Sequence, residues 1–278
     1  MKLAIGSGSV SDGTVQGCIR YCQDIGVQHV VLSAAAVPGY AQTRRLDPAI
    51  LKAQVAEIRD AGLTTGTLHF WPPYPITTPA EIQAALSGLC QNMDAAAEAD
   101  MKVMAMFTGL NKPVDPADED ALWDSFIGFY RKLTEEAEQR GIKIAAHFNG
   151  HQGIGLCAGA NGYRRLFEAV PSPANGLTFC VGNAWVSDGP RLYNLIREFG
   201  ERIYFVHMRS TKILWGESPY WWDIPEGPDI RKVFETLKEV GYSGYIVAEH
   251  MPEIRGENRG DISFAWTMGY MKAIARYL

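Results

Sequence analysis

The sequence lacks the features that mark a membrane or secreted protein. No uninterrupted apolar run approaches the roughly 18 residues that a transmembrane helix needs. The apolar core of the opening stretch, MKLAIGSGSV, is too short for a signal peptide and reads better as a first strand. The 5 cysteines are an odd number without the spacing of a disulfide scaffold, which indicates a reducing compartment. We therefore expect a cytoplasmic protein with no membrane partner.

Clusters of positive charge are missing as well. Lysine and arginine together number 26 against 31 aspartates and glutamates, so the formal net charge is -5. Nucleic acids and anionic membranes bind to positively charged surfaces. We therefore do not expect a nucleic-acid partner, and a small molecule is the ligand class that remains.

No linker, charge block or low-complexity segment divides the chain, and 47% hydrophobic residues suffice for a sizeable core. Short apolar runs instead alternate with stretches of helical spacing. The predicted strands cover residues 3–6, 27–33, 63–70, 101–107, 142–147, 177–181, 203–208 and 245–249. The predicted helices cover residues 14–25, 48–61, 78–99, 118–140, 163–170, 190–199, 229–240 and 263–277.

Eight units of about 35 residues have the size and number of a (β/α)8 TIM barrel. Continuous apolar strands fit this fold because both of their faces are buried. A doubly wound open sheet is the alternative, and it usually carries a glycine-rich phosphate turn after its first strand. The stretch GSGSVSDG at that place resembles such a turn only weakly. We predict a single α/β domain, a TIM barrel over residues 1–278.

Four strands end on a residue that can bind a metal. These residues are His147, Cys180, His207 and Glu249, on the fifth to eighth strands. Taken singly, a histidine at a strand end is usually structural, and a buried cysteine is usually a small apolar residue. Because a barrel gathers the carboxyl ends of its strands, four such residues in successive units favour one metal site. Imidazole, thiolate and carboxylate ligands suit Zn, Fe or Mn better than Mg or Ca.

Other polar and aromatic residues lie near the same strand ends. His69 ends the third strand and His151 lies in the loop after the fifth, so both can enter the site. Arg209 follows His207 by two residues and therefore shares its face, with a surface ion pair as the alternative role. By the same alternation, His250 is expected to point away from the site. An aromatic group after the seventh strand forms either a packed loop or the wall of a sugar-sized pocket; it comprises Trp215, Tyr220, Trp221 and Trp222.

Three segments, SPANGLTFCVGN, RIYFVHMRSTK and FAWTMGYMKAIA, resemble the mannonate dehydratases, a branch of the xylose-isomerase-like barrels. The early stretch GVQHVVLSAAAVPGY fits as well, and the similarity covers nearly the whole chain. The resemblance implies a divalent metal, commonly Mn2+, with Fe2+, Zn2+ and Co2+ as alternatives. It implies His147, Cys180, His207 and Glu249 as the ligands and Arg209 as the arginine of the H-x-R motif.

The chain departs from this family in three respects. Glu249 stands where the family usually has aspartate. HFNGHQ replaces the segment His-Pro-Asp-Asp-Pro-Pro, so Asn149 and Gly150 take the places of two carboxylates. The chain is also shorter than typical members, mostly in loops. These changes leave the substrate and the reaction open.

The resemblance implies a metal-dependent sugar-acid dehydratase that converts D-mannonate to 2-keto-3-deoxygluconate and water. In that reaction a base removes the proton beside the carboxylate, the metal stabilises the enolate, and an acid protonates the leaving hydroxyl. Arg209 is expected to hold the carboxylate through two parallel hydrogen bonds. The candidates for acid and base are His69, His151, Tyr40 and Tyr220, and the further substrate contacts are Trp71, Asn149 and Trp222.

Two other functions stay open. One is a sugar isomerase or epimerase on the same barrel, which the loss of the aspartate pair favours. The other is a barrel that binds a metal or a sugar without catalysis. A DNA-repair endonuclease of this superfamily is disfavoured by the acidic charge. A homo-oligomer is neither indicated nor excluded.

Overall fold

The structure is a computed structural model that describes residues 1–70, 78–107, 115, 117–149, 156–212, 221–257 and 259–278. Within these ranges, strands and helices alternate along the chain. The strands are β1 (Lys2–Gly6), β2 (His29–Ser33), β3 (Thr67–His69), β4 (Val103–Met106), β5 (Lys143–His147), β6 (Asn175–Cys180), β7 (Ile203–Met208) and β8 (Tyr245–Ala248).

The helices lie between the strands, and most begin and end within a few residues of their predicted bounds. They are α1 (Val15–Asp24), α2 (Tyr40–Thr43), α3 (Pro48–Asp60), α4 (Pro79–Glu98), α5 (Glu119–Gln139), α6 (Gly159–Ala169), α7 (Val181–Asp188), α8 (Leu192–Phe199), α9 (Ile230–Glu239) and α10 (Asp261–Arg276). The short helices α2 and α7 are absent from the sequence prediction.

The eight strands form a closed sheet. Each strand pairs in parallel with the next, and β1 pairs with β8. This closure confirms the predicted (β/α)8 barrel and excludes the doubly wound sheet, which has two open edges.

Local sequence explains where the helices around the barrel begin. The Asp47 side chain accepts two backbone N–H groups of the first turn of α3, and Pro48 occupies the first helical position. Thr78 and Glu81 form a reciprocal capping box at the start of α4. Both caps stand at predicted helix starts.

The strand register places the four donor side chains on one face. Cys180 lies beside His207, and His207 lies beside Val247, two residues before Glu249. His147 lies beside Thr178, two residues before Cys180. Because side chains alternate along a strand, positions offset by an even number share a face. The register therefore sends all four donors to the same side of the sheet.

That side is the interior of the barrel. A small apolar cluster fills it, made of Ala4, Val31, Ala105, Ala145, Phe205, Tyr245 and Val247. Ala145, Phe205 and Val247 each stand two residues before a donor, so this cluster forms the floor of the site. The larger apolar core lies between the barrel and its helices. Among the helices of the described ranges, none is long and apolar enough to span a bilayer.

Candidate metal centre and reaction pocket

Four adjacent strands deliver the predicted donors to one end of the barrel. His147 and Cys180 end β5 and β6, and His207 lies one residue before the end of β7. Glu249 follows β8 directly, and its N–H donates to the Met208 carbonyl over 3.0 Å, which continues the sheet by one bond. All four side chains are largely buried.

The donor atoms of these side chains lie close together. Oε1 of Glu249 is 3.0 Å from Nδ1 of His207 and 3.9 Å from Nε2 of His147. The two imidazole nitrogens are 3.1 Å apart. Sγ of Cys180 is 3.5 Å from Oε2 of Glu249. One ligand atom from each of His147, Cys180 and Glu249 lies within 4.8 Å of the other two.

These distances fit a shared cation. Two nitrogens bound to one tetrahedral ion at 2.0–2.1 Å are about 3.4 Å from each other. The observed separations of 3.0 to 3.9 Å between nitrogen and oxygen atoms bracket that value. The donor set of nitrogen, sulfur and oxygen suits a borderline transition-metal ion. These residues can therefore hold a divalent metal.

The protonation states also suit metal binding, which requires neutral imidazole and ionised carboxylate. Burial, helped by the neighbouring His207, lowers the pKa of His147 to about 4. Burial alone raises the pKa of Glu249, but His207, His147 and His250 outweigh it and hold that pKa well below its usual range. His147 thus stays neutral and Glu249 stays charged at ordinary pH.

Asn149 lies behind His147 rather than on the open side of the site. Its Oδ1 is 3.5 Å from Nδ1 of His147, and its backbone carbonyl accepts from the N–H of Gly159. A proton on Nδ1 leaves the lone pair of Nε2 directed toward the other donors. Asn149 is therefore placed to orient the ring of His147, and its contact with a substrate stays a prediction.

Cys180 stands at the junction of a strand and a helix. It is the N-cap residue of α7, which begins at Val181. A helix N-terminus favours negative charge, because its first N–H groups point outward. The sequence NGLTFCVGN therefore folds so that the sulfur can act as a thiolate ligand.

Arg209 lies fully inside the protein, with 1% of its surface exposed. Its Nη2 donates to Oδ1 of Asn183 over 2.8 Å. The side chain runs against Gly182, where an added Cβ would meet the Arg209 Nε at 2.0 Å. Its positive charge also contributes to the low pKa of His147. The alternative of a surface ion pair is wrong, because the residue is buried.

A cavity of about 300 Å³ opens beside the donors, on the side of β1, β2 and β8. His207 and Glu249 form part of its wall, and His69 closes it from β3. The hydroxyl-bearing residues Ser9 and Ser33 line the opposite side. Burial, together with His207, keeps the pKa of His69 well below its usual range, so His69 is neutral. We call this space the reaction cavity.

His250 is a site residue that the sequence pattern assigns to the wrong side. Its Nε2 is 3.7 Å from Oε1 of Glu249, its side chain is 44% exposed, and it lines the reaction cavity. The alternation of a strand does not apply here, because β8 ends at Ala248 and His250 has a φ of 48°. The position of His250 directly after Glu249, a predicted ligand, is the sequence signal that could have indicated its place in the site.

The other residues predicted for the site either lie in the core or fall outside the described residues. Tyr40 is 1% exposed and packs edge-on against Phe70, so it belongs to the core. Trp222 is 2% exposed and contacts Tyr270 on α10 rather than the reaction cavity. Outside the described residues lie Trp71, Gly150, His151, Trp215 and Tyr220.

Comparison with known sequences identifies relatives over part of the chain. Mannonate dehydratase from Thermotoga petrophila is 31% identical over 150 residues, which are 50% of this chain and 42% of that protein. The enzyme of that name from Enterococcus faecalis is 29% identical over 158 residues, 54% of this chain and 42% of that protein. The chain thus matches less than half the length of these curated relatives.

Solved structures share the fold over nearly the whole chain. The IOLI protein with a bound zinc atom has a TM-score of 0.80 at 15% identity and covers 100% of this chain and 99% of its own. Mannonate dehydratase from Streptococcus suis has a TM-score of 0.76 at 18% identity, covering 99% and 93%. D-Psicose 3-epimerase from Clostridium cellulolyticum, solved with D-tagatose, has a TM-score of 0.73 at 16% identity, covering 99% and 96%.

The family model described as Xylose isomerase-like TIM barrel matches residues 19–266. This range includes all four donor residues and His250. The chain belongs to the xylose isomerase-like TIM barrel family, as a divergent relative of the mannonate dehydratases.

Proposed function

We propose that the protein is a metal-dependent sugar-acid dehydratase of the mannonate dehydratase type. The observation that carries this proposal is the convergence of His147, Cys180, His207 and Glu249 on one point beside an open cavity. The resemblance to mannonate dehydratases names the reaction, and D-mannonate is the first substrate to test.

A divalent metal, with Mn2+ as the first choice, would supply a Lewis acid that stabilises the enolate of the substrate. The chain provides its ligands from rigid strand ends, on a floor formed by Phe205 and Val247. Asn149 fixes the ring of His147, so that little reorganisation accompanies binding.

Two imidazoles are placed to move protons. His69 and His250 both line the reaction cavity, on β3 and after β8, so a substrate between them has one on each side. His69 is neutral and suits the base that removes the proton beside the carboxylate. His250 suits the acid that protonates the leaving hydroxyl, because it is partly exposed and can exchange protons with water.

Arg209 is the proposed partner of the substrate carboxylate, and it lies behind the described lining of the reaction cavity rather than in it. Its charge helps to lower the pKa of His147, and its guanidinium donates a hydrogen bond to Asn183. A guanidinium binds a carboxylate through two parallel hydrogen bonds, which a sugar acid can use and a neutral sugar cannot.

A second candidate is a sugar epimerase or isomerase. Among the described residues that line the reaction cavity there is no lysine or arginine. A cavity walled by hydroxyl and imidazole groups also accepts a neutral ketose. D-Psicose 3-epimerase shares the fold, which alone does not decide the reaction.

A substrate comparison tests these functions. Protein loaded with Mn2+ is incubated with D-mannonate and, separately, with neutral ketoses. Release of a 2-keto-3-deoxy acid from mannonate, with no change in the ketoses, supports the dehydratase. Conversion of a ketose without any keto-deoxy product supports the epimerase. Tight binding of either ligand without turnover supports a binding protein and removes both enzymatic functions.

The cell compartment and the assembly belong to the proposal as well. All five cysteines, on and off the site, are free thiols. We propose a cytoplasmic enzyme for a small carbohydrate, since the cytosol keeps thiols reduced. Sedimentation at several concentrations measures whether it forms homo-oligomers.

A further inference from the structure

We propose that the protein acts on a carbohydrate of two sugar units, whose second unit lies in a groove beside the reaction cavity. This inference rests on the proposed function for the chemistry at the first unit. The groove, which we call the distal groove, lies between Ser9 and residues 250–257 and 259–260, which belong to the connection from β8 to α10.

The distal groove adjoins the reaction cavity. Ser9, His250 and Phe264 line both spaces, so the two lie side by side and share these three side chains as their common boundary. The groove measures about 750 Å³, against about 300 Å³ for the reaction cavity. Ligand pockets usually measure roughly 300–1,000 Å³. The reaction cavity alone is therefore at the small end of that range, and most of the available space lies outside it.

The loop that forms the groove is held in place by side-chain bonds. The carboxylate of Glu257 accepts from the N–H groups of Ile254 and Ser263, and from the Ser263 hydroxyl. Arg259 donates to the Gly8 carbonyl over 3.0 Å, which fastens the loop to the neighbouring β1 loop. The groove is thus formed before any ligand arrives, as in most small-molecule sites.

The charges of the groove favour a neutral, hydroxyl-rich ligand over an anion. Arg255 and Arg259 are balanced by Glu253 and Glu257, all four of which line the groove. A phosphate site would show an excess of positive charge. Donors and acceptors of both kinds instead suit sugar hydroxyls, each of which donates and accepts.

The groove also has an apolar side. Met251, Ile254 and Phe264 lie among its charged residues. A sugar ring has hydroxyl groups at its edge and C–H groups on its faces, so it matches a wall of this mixed kind. Arg255 is exposed, and no hydrogen bond or ion pair joins it to another residue of the described ranges. Its guanidinium can therefore turn to a ligand without breaking an existing contact.

Calorimetric titration of Mn2+-loaded protein tests the proposal with three probes. Gluconate carries one sugar unit, cellobionate is gluconate with a glucosyl unit attached, and 6-phosphogluconate carries an anion at the far end instead. We expect cellobionate to bind about tenfold more tightly than gluconate, because its second sugar unit adds a few hydrogen bonds to the protein. Equal affinity for the two would overturn the proposal, as would a preference for 6-phosphogluconate over cellobionate.

Variant Arg255→Ala locates the effect. It should reduce cellobionate affinity by about fivefold or more and leave gluconate within about twofold. Arg276→Ala is the matched control, because it removes the same charge at the far end of α10, about 20 Å away along the helix. Losses that are equal for both probes would show that Arg255 does not contact the second unit and would overturn the assignment.

These measurements are independent of turnover. A protein that shows the cellobionate preference but dehydrates no sugar acid loses the proposed reaction and keeps the second subsite. A protein that dehydrates mannonate without any preference for the longer ligand keeps the reaction and loses the subsite.

Discussion

Gly182→Ala is a substitution whose effect on stability should have the opposite sign to that of an ordinary helical glycine. Replacing glycine by alanine inside a helix usually stabilises a protein by about 0.5–1 kcal/mol. At Gly182, in the first turn of α7, the new Cβ would lie 2.0 Å from Nε and 2.5 Å from Cγ of Arg209. These atoms are in the middle of a buried side chain, so they cannot move aside into solvent.

The cost can be estimated from two contributions. Forcing extra atoms into a filled interior costs about 1–3 kcal/mol. Displacing the guanidinium also breaks its bond to Asn183, and a bond to a charged group is worth about 1.5–3 kcal/mol. After subtraction of the helical gain, we expect the free energy of unfolding to fall by about 2–5 kcal/mol. For a chain of 278 residues, the melting temperature should fall by roughly 3–9 °C.

The assay is thermal and urea unfolding of a set of matched variants. Gly128→Ala in α5 is the control, because nothing lies within 4 Å of its added Cβ, and it should be neutral or stabilising. The double variant Gly182→Ala with Arg209→Ala should lose most of the penalty, since the clashing side chain is gone. A stabilising Gly182→Ala, or an equal cost in the Arg209→Ala background, would refute the close approach of these two residues.

Four further predictions concern the site. Cys180→Ala should lose most of the bound metal in elemental analysis, and full retention would show that its sulfur is no ligand. Arg209→Lys should lower kcat/KM for a sugar acid by roughly tenfold or more at unchanged metal content, with much less effect on a neutral sugar; equal losses on both would remove it from the carboxylate role. His250→Asn should lower kcat by about a hundredfold or more while metal content stays constant; unchanged kcat would exclude it as an acid or base. The metal-free protein should lose stability as the pH falls from 6.5 to about 4, because His147, with its pKa lowered by burial, resists protonation in the folded state and accepts protons when unfolded; a His147→Gln variant should show a smaller loss.

The barrel can be predicted from the sequence because each of its strand–helix units is recognisable within a short stretch of residues. Each apolar run followed by a capped helix is visible in a short window, as Asp47 and Pro48 before α3 illustrate. The four donor residues can be found for a related reason. They stand at equivalent positions in successive units, and the fold rule for barrels brings such positions together.

Other parts of the site cannot be predicted because they depend on contacts across the barrel. His250 faces the site through a positive φ, which no residue preference for histidine indicates. The sequence predicts that Trp222 lines a sugar pocket, but in the structure it packs against Tyr270 on α10 in the core. The burial of Arg209 depends on the space left by Gly182, and a lone glycine has many other uses.

The two halves of the barrel contribute different groups to the site. The four candidate donors come from β5 to β8, whereas Ser9, Ser33 and His69 line the reaction cavity from β1 to β3. Substitutions at Ser9 and Ser33 can therefore reshape one wall of the reaction cavity without touching the candidate donors, whereas His250 and the distal groove belong to the second half. Libraries confined to Ser9 and Ser33 should yield new sugar preferences without loss of metal content, and such a division would let one ancestral barrel supply enzymes for many sugars.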